Sequence, residues 1–146
     1  MIMELKNVQA ALERVKDKMK SELYRDGGMI DGGDIRIDYD NREERYQAEM
    51  LSYILEKLSD ADYRLEWMAK PIKVEGALIK REDGRYEIEG TDIYFTSGKP
   101  IEVLKYDESQ EEYDWVYSRV EHSSEDYYIV TLGKQTKIDG LKVRTR

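Results

Sequence analysis

The sequence predicts an α+β fold, in which an N-terminal helical hairpin of two to three helices (residues 1–70) precedes a small SH3-like antiparallel β-barrel (residues 71–146). Apolar residues recur at helical spacing before Pro71, and from Ile72 onward they alternate with polar residues, as in strands. Three β-favouring runs are separated by polar, acid-rich connections, which is typical of an antiparallel meander. These runs are Ile101–Tyr106, Tyr113–Val120 and Tyr127–Leu132.

The first helix is predicted over residues 2–24 by an apolar stripe whose members are three and four positions apart. Its members are Ile2, Leu5, Val8, Leu12, Val15, Met19 and Leu23. The pair Gly27-Gly28 then ends the helix, because glycine readily adopts the left-handed conformation. We expect this stripe to pack against the second helix, the β part or a second copy of the chain.

A second helix is predicted after Asp40 or Asn41, either of which can cap it. Ser59-Asp60 is predicted to break this helix or to begin a third one, and Pro71 ends the helical part. Between the two helices, residues 35–39 alternate and are predicted to form a short strand or an extended strut.

The β part is predicted to contain six or seven short strands. Gly76 is expected to kink or bulge the first of them, and Asp83-Gly84 is a hairpin signal. So many short strands leave edges that would be open to aggregation in a flat sheet. A small closed barrel removes those edges, which is why the sequence favours this architecture.

Composition excludes several classes of protein. The chain has no cysteine, so disulfides, thiolate nucleophiles and cysteine-type zinc sites are excluded. Its net charge of −8 argues against direct nucleic-acid binding, since phosphate contacts require cations. No apolar run approaches the length that crosses a bilayer, and no signal peptide is recognisable. We expect a soluble, intracellular protein that does not act at a membrane.

The segment from about Gly76 to Arg146 resembles a small β-domain family of unknown function found in phages and mobile elements of Gram-positive bacteria. The resemblance implies a compact β-domain and a mobile-element setting, and it carries over no catalytic residue. The residues that carry the resemblance are Gly84–Glu87, Thr96–Leu104, Trp115-Val116, Ser118–His122, Tyr127–Val130 and Leu141–Arg144.

No catalytic residue, metal site or cofactor is predicted. His122 is the only histidine, and nearby serines are weak evidence for a hydrolase because a catalytic serine must be placed in space. The two DGG sequences lack the lysine of a phosphate-binding loop. Asp38 and Asp40 begin a calcium-loop pattern, but Arg42 falls where an oxygen ligand is needed.

Two acidic clusters and an aromatic run are the candidate partner-binding residues. Spaced carboxylates can imitate a nucleic-acid backbone and present negative charge to a basic groove, although acid-rich turns are also ordinary solvated loops. The aromatic side chains would be buried against the partner as anchors, or they would simply pack in the core of the barrel. The first acidic cluster contains Asp31, Asp34, Asp38, Asp40, Glu43 and Glu44, and the second contains Asp107, Glu108, Glu111, Glu112 and Asp114. The aromatic run contains Tyr106, Tyr113, Trp115, Tyr117 and Tyr127, of which Tyr113, Trp115 and Tyr117 are the strongest candidates.

We therefore expect a non-enzymatic inhibitor that occupies the nucleic-acid groove of a host defence nuclease, in the manner of an anti-CRISPR protein. Its partner would be a basic, nucleic-acid-binding host protein. The alternative is a nucleic-acid-binding accessory module that uses the aromatic barrel face and the basic C-terminal strand, with Lys142, Arg144 and Arg146. A third possibility is an assembly protein that forms a homodimer through its helices.

Overall fold

The computed structural model describes residues 1–146, and the chain divides into two compact units, Met1–Lys70 and Pro71–Arg146. The first unit is helical. In chain order it contains α1 (Leu5–Leu23), β1 (Tyr24–Arg25), β2 (Gly28–Met29), a short 3-10 helix (Gly32–Asp34) and α2 (Arg42–Ala69).

The end of α1 is a tight hairpin that the sequence pattern did not predict. Asp26 and Gly27 both have positive φ, +50° and +89°, and they reverse the chain so that β1 pairs with β2. The glycine is needed here because a residue with a Cβ atom is strained at such an angle. Residues 35–39 are not paired as a strand, so only the alternative of an extended connection agrees with the structure.

Helix α2 runs through the predicted break at Ser59-Asp60 without interruption, so the prediction of a break there is wrong. Asp60 instead forms an (i, i+4) ion pair with Arg64, which stabilises the helix on its surface. At the start of α2, the Asn41 side chain accepts hydrogen bonds from the backbone N–H groups of Glu43 and Glu44. No helix in the chain combines the length and the apolar character that a membrane span requires.

The two helices are joined by a small core and a few polar contacts. Only four apolar side chains of this unit are buried: Met19, Leu55, Leu65 and Trp67. Tyr24 donates a hydrogen bond to the buried carboxylate of Asp62, and this bond raises the pKa of Tyr24 to about 12. Lys16 and Lys20 of α1 both form ion pairs with Glu66 of α2, at 3.7 and 3.3 Å.

The second unit is a seven-stranded antiparallel sheet with the strand order β5-β4-β3-β9-β6-β7-β8. A 3-10 helix, Val130–Leu132, follows the last strand of the predicted meander, whose three strands lie side by side as expected. The strands are β3 (Val74–Lys80), β4 (Tyr86–Ile88), β5 (Tyr94–Phe95), β6 (Pro100–Asp107), β7 (Glu112–His122), β8 (Tyr127–Ile129) and β9 (Lys142–Thr145).

The strand pairing shows a curled half-barrel and does not confirm a closed SH3-like barrel. β5 and β8 end the strand order and do not pair with each other. The sheet curls far enough for side chains near its two ends to meet. Asp126, just before β8, accepts hydrogen bonds from Lys80 of β3 at 3.0 Å and Tyr86 of β4 at 3.2 Å.

The concave face of the sheet holds one continuous core. Ten buried residues form it: Leu78, Tyr86, Ile88, Phe95, Ile101, Val103, Val120, Ile129, Ile138 and Val143. Gly76 contributes by its size, because a Cβ atom at this position would lie 2.8 Å from Cγ2 of Ile88. The register of β3 with β9 continues through Gly76 without the bulge that the sequence predicted.

Candidate functional site

The candidate site is the hairpin of β6 and β7, which are paired over eight residues down to Asp107 and Glu112. Its tip, residues 108–111, is held by Asp107. The Asp107 carboxylate accepts hydrogen bonds from the Ser109 hydroxyl at 2.6 Å and from the Ser109 backbone N–H at 2.8 Å. The hydroxyl bond is the main cause of a lowered pKa for Asp107. Asp107 therefore stays ionised and fixes the shape of the tip.

Glu111 completes the reversal in a backbone conformation that glycine would adopt more easily. Its φ is +55°, in the left-handed region that non-glycine residues rarely occupy. The left-handed conformation costs an L-residue roughly 1–2 kcal/mol. A carboxylate therefore stands at a position where the backbone geometry favours glycine.

The hairpin places the predicted acidic and aromatic residues on opposite faces. Directly paired residues in an antiparallel sheet share a face, so Asp107 and Glu112 lie together, and Asp114 lies beside them. Tyr113 pairs with Tyr106 on the other face. The candidate residues of this stretch therefore form an acidic face with an acidic tip and a separate aromatic face.

The aromatic face becomes progressively more exposed toward the tip. Tyr117 and Trp115 are partly buried, and the guanidinium of Arg144 lies over the Trp115 ring at 4.2 Å from its centroid. Tyr106 and Tyr113 contact each other edge to face, with 5.2 Å between ring centroids. They are 46% and 65% exposed, so only the outer end of this face is open to a partner.

At the inner end of the aromatic face, where it is paired with Tyr117, Glu102 forms the most buried charge cluster of the unit. Arg144 and Arg146 each place a guanidinium nitrogen on its carboxylate, at 2.6 and 3.2 Å. Burial by itself raises the pKa of Glu102, but the hydrogen bonds from the two arginines outweigh that effect and lower it. This cluster joins β6 to the C-terminal strand, so its role is structural.

The carboxylates of the hairpin tip differ from most others in the β unit because they are not neutralised. Glu108, Glu111, Glu112 and Asp114 have no lysine or arginine within ion-pair distance. Elsewhere in the unit six carboxylates form ion pairs and five, scattered over separate turns, form none. The paired ones are Glu75, Asp83, Glu87, Glu102, Glu121 and Asp126, and the unpaired ones are Glu82, Glu89, Asp92, Glu125 and Asp139. Lys105 is paired directly opposite Asp114, and its charge helps to lower the pKa of Asp107. This end of the hairpin therefore carries an excess of negative charge with one cation among its carboxylates.

The N-terminal acidic cluster lies in the helical unit and is largely occupied by local structure. Asp31 and Asp34 form a reciprocal capping box at the 3-10 helix. Asp38 accepts a hydrogen bond from the Asp40 backbone N–H at 3.0 Å. The carboxylates of Asp31, Asp34 and Asp38 thus hold the connection between the helices, which is what solvated acidic turns commonly do.

His122 is not assembled into a serine hydrolase site. Its imidazole contacts the Tyr127 ring edge to face at 4.6 Å between centroids. Ser118 accepts a hydrogen bond from the Thr131 backbone, and the Ser123 hydroxyl donates to the Asp126 carbonyl oxygen. The hydroxyls of both serines are therefore engaged with the main chain.

The basic C-terminal strand is mostly neutralised within its own unit. Arg144 and Arg146 bind Glu102, and Lys142 forms an ion pair with Glu75 at 2.8 Å. Lys134 lies over the Tyr128 ring, 5.6 Å from its centroid, and no ion pair is formed by Lys137. The strand thus offers less free positive charge than its sequence indicates.

A cationic cluster that sequence reasoning missed surrounds Tyr94. Arg81, Arg85 and Lys99 lie 4.6, 5.5 and 5.5 Å from the ring centroid. Desolvation lowers the pKa of Lys99, and its ammonium donates to the Tyr94 carbonyl oxygen. The sequence feature that could have revealed this cluster is the Asp83-Gly84 turn, because it places Arg81 and Arg85 opposite each other.

No group of three or more histidine and carboxylate side chains is arranged to hold a metal ion. Residues 76–145 match the family model of a domain of unknown function, DUF5348. The match spans the sheet from β3 to β9 and leaves the helical unit outside it. No curated protein and no solved structure matches the chain.

Proposed function

We propose that this protein works by binding a basic protein partner through the tip of the β6–β7 hairpin, and that it catalyses no reaction. The supporting observation is the row of unneutralised carboxylates on a rigid two-stranded support. Such a row attracts a lysine- and arginine-lined groove over a distance and orients the encounter. Asp107 keeps the tip in one shape, so little conformational entropy is lost on binding.

The partner that best fits this charge pattern is a nucleic-acid-binding protein whose groove normally holds a phosphate backbone. In its most specific form, the proposal is an inhibitor of a bacterial defence nuclease, carried by a phage or mobile element and acting in the host cytoplasm. The exposed pair Tyr106 and Tyr113 would then provide an apolar anchor near the tip, on the face opposite Glu112 and Asp114.

Direct binding of nucleic acid is the weaker alternative. It would need the aromatic face and the basic C-terminal strand, whose arginines are already bound to Glu102. A gel-shift titration with single-stranded and duplex DNA and RNA at low salt separates the two functions. The inhibitor should leave free nucleic acid unshifted, and a shift abolished by moderate salt would favour the alternative.

The main test reverses the charge of the tip while keeping its shape. We would change Glu108, Glu112 and Asp114 to lysine and leave Asp107 in place, because Asp107 holds the turn. The matched control changes Glu82, Asp92 and Glu125 to lysine. These three are exposed carboxylates of the same unit without an ion pair, so the net charge changes equally.

Partners would be captured from nuclease-treated bacterial lysate, identified, purified and titrated at several salt concentrations. The tip variant should bind at least about tenfold more weakly and show a smaller salt dependence, since it has lost the charges that attract the groove. The control should retain both properties. Equal weakening in the two variants would show that only net charge matters, and the proposed site would be wrong.

A further inference from the structure

We propose that the helical unit forms a twofold dimer in which α1 of one copy lies on α2 of a second copy, so that four helices make one bundle. The inference starts from the exposed fraction of the apolar side chains. Fifteen of the twenty exposed large hydrophobic side chains of the chain belong to residues 1–70. Nine of these fifteen form two groups on successive turns of α1 and α2, and soluble monomers rarely leave large apolar patches uncovered.

On α1, the uncovered residues form a single row. Leu5, Val8, Leu12 and Val15 are separated alternately by three and four positions, which is the seam of a helix that packs against another helix. They are between 37% and 83% exposed. The row continues into Met19, which is buried in the core of the unit. The same seam is thus covered at its C-terminal end and open along the rest.

On α2, the uncovered residues lie in the N-terminal half. They are between 46% and 59% exposed, and several are three, four or seven positions apart, as neighbours on one side of a helix are. The buried residues of α2 are in the C-terminal half of the helix, from Leu55 onward. The uncovered residues are Tyr46, Met50, Leu51, Tyr53 and Ile54.

The size of this surface is what a stable dimer needs. Weighted by their exposure, the nine side chains of the two helices present on the order of 800 Å² per copy, at roughly 150–250 Å² for a large side chain. A standard protein interface buries about 800 Å² from each partner. Two helical hairpins that associate in this way form a four-helix bundle, which covers a face that a single hairpin leaves open.

Charge indicates which helices meet. Over its uncovered part, residues 5–15, α1 contains two cationic residues and one acidic residue, whereas residues 42–54 of α2 contain two cationic and three acidic residues. Two copies of α1 would repel each other, and so would two copies of α2. Pairing α1 with α2 of the other copy brings opposite net charges together, and twofold symmetry repeats this contact. One chain therefore holds both halves of a self-complementary surface.

The test measures the mass of the full chain by light scattering and sedimentation over a range of concentrations. The wild-type protein should show twice the 17.3 kDa of one chain. Leu12→Glu and Met50→Glu should each weaken dimerisation at least about tenfold, because both place an acidic group in the contact. Ala10→Glu, an exposed change on α1 outside the row, should leave the dimer intact. Far-UV circular dichroism checks that the helices persist.

The pairing of helices is tested by comparing Leu12→Glu with Leu12→Lys. If α1 lies on the acidic α2, lysine should disrupt the dimer less than glutamate. Added sodium chloride should weaken the wild-type dimer only modestly, because it screens the attraction between the helices and leaves the apolar contact in place. A 17.3 kDa monomer at every concentration, an open-ended series of larger assemblies, or equal effects of Ala10→Glu and Leu12→Glu would overturn the dimer. A greater effect of lysine than of glutamate would overturn the α1-on-α2 arrangement.

Discussion

The two units of this chain differ in how many of their apolar side chains they bury. The β unit buries ten side chains in one cluster on the concave face of its sheet. The helical unit has nearly as many residues, yet buries only four apolar side chains and leaves fifteen large ones exposed. A curled sheet can enclose its own apolar face, whereas two helices cover only the strip where they touch. The β unit therefore encloses its apolar side chains more fully than the helical unit does.

Charged groups show the same difference. In the β unit, buried or half-buried charges are tied into specific ion pairs such as that of Glu102 with Arg144, and the largest group of carboxylates without an ion pair lies at the hairpin tip. In the helical unit, carboxylates of the interhelical connection cap helices and turns. Excess negative charge at the tip and uncovered apolar surface on the helices are thus two separate candidates for interaction.

The largest expected effect comes from the core of the β unit. Ile101→Ala removes a fully buried side chain and should destabilise this unit by about 3–4 kcal/mol, since a cavity remains. Leu12→Ala should cost the helical unit under about 1 kcal/mol in the monomer, because Leu12 is 42% exposed. Each unit contains one tryptophan, so urea unfolding of single-tryptophan variants would report Trp67 and Trp115 separately. If Ile101→Ala and Leu12→Ala lowered the unfolding free energy of their units equally, the proposed difference in core packing between the two units would be wrong.

A smaller effect is expected at the buried charge cluster. Glu102→Gln keeps the shape but leaves Arg144 and Arg146 without a carboxylate, and should cost about 2 kcal/mol at neutral pH. Because the pKa of Glu102 is lowered in the folded protein, the loss of stability caused by Glu102→Gln should depend on pH. The ionised Glu102 carboxylate stabilises the fold at pH values above about 4.3, the pKa of a glutamate in the unfolded chain. This stabilisation is lost as the pH falls through the lower pKa that Glu102 has in the folded protein. The difference in unfolding free energy should therefore shrink in acid, and a constant difference would exclude the ion pairs as its cause.

The smallest effect is expected at the cap of α2. Asn41→Ala removes the acceptor for two backbone N–H groups and should cost about 1 kcal/mol. Because Asn41 belongs to the helical unit, the loss should appear in the unfolding curve of Trp67 and leave that of Trp115 unchanged. Asn41→Asp is the control, since aspartate caps equally well. A shift of both curves would mean that the units unfold together.

Local patterns were sufficient for most elements of the fold. The 3.6-residue period marked α1, the alternation marked the meander of β6, β7 and β8, and Asp83-Gly84 marked the turn between β3 and β4. The break at Ser59-Asp60 was predicted wrongly because serine and aspartate favour helix caps, and their local preference was overridden by the continuous helix.

Other features depend on residues that are far apart in the chain. Arg144 reaches Glu102 only because β9 inserts between β3 and β6, a pairing that no local signal specifies. The cations around Tyr94 of β5 come from two turns, Arg81 and Arg85 from the one before β4 and Lys99 from the one before β6. Within the candidate site, the acidic residues and Tyr113 are neighbours in sequence, yet the pleat places them on opposite faces of the hairpin.

The sequence alone determined the two helical regions and the main strands of the sheet, and it identified the acid-rich connection that becomes the hairpin tip, but it gave neither the β1–β2 hairpin nor the unbroken course of α2. Only the tertiary structure decided that the sheet curls into a half-barrel, that the C-terminal arginines are neutralised by Glu102, and that the tip carboxylates are not neutralised. The reason is physical. A local pattern specifies which face of an element is apolar, but the chain must fold before a distant element can cover that face or neutralise its charges.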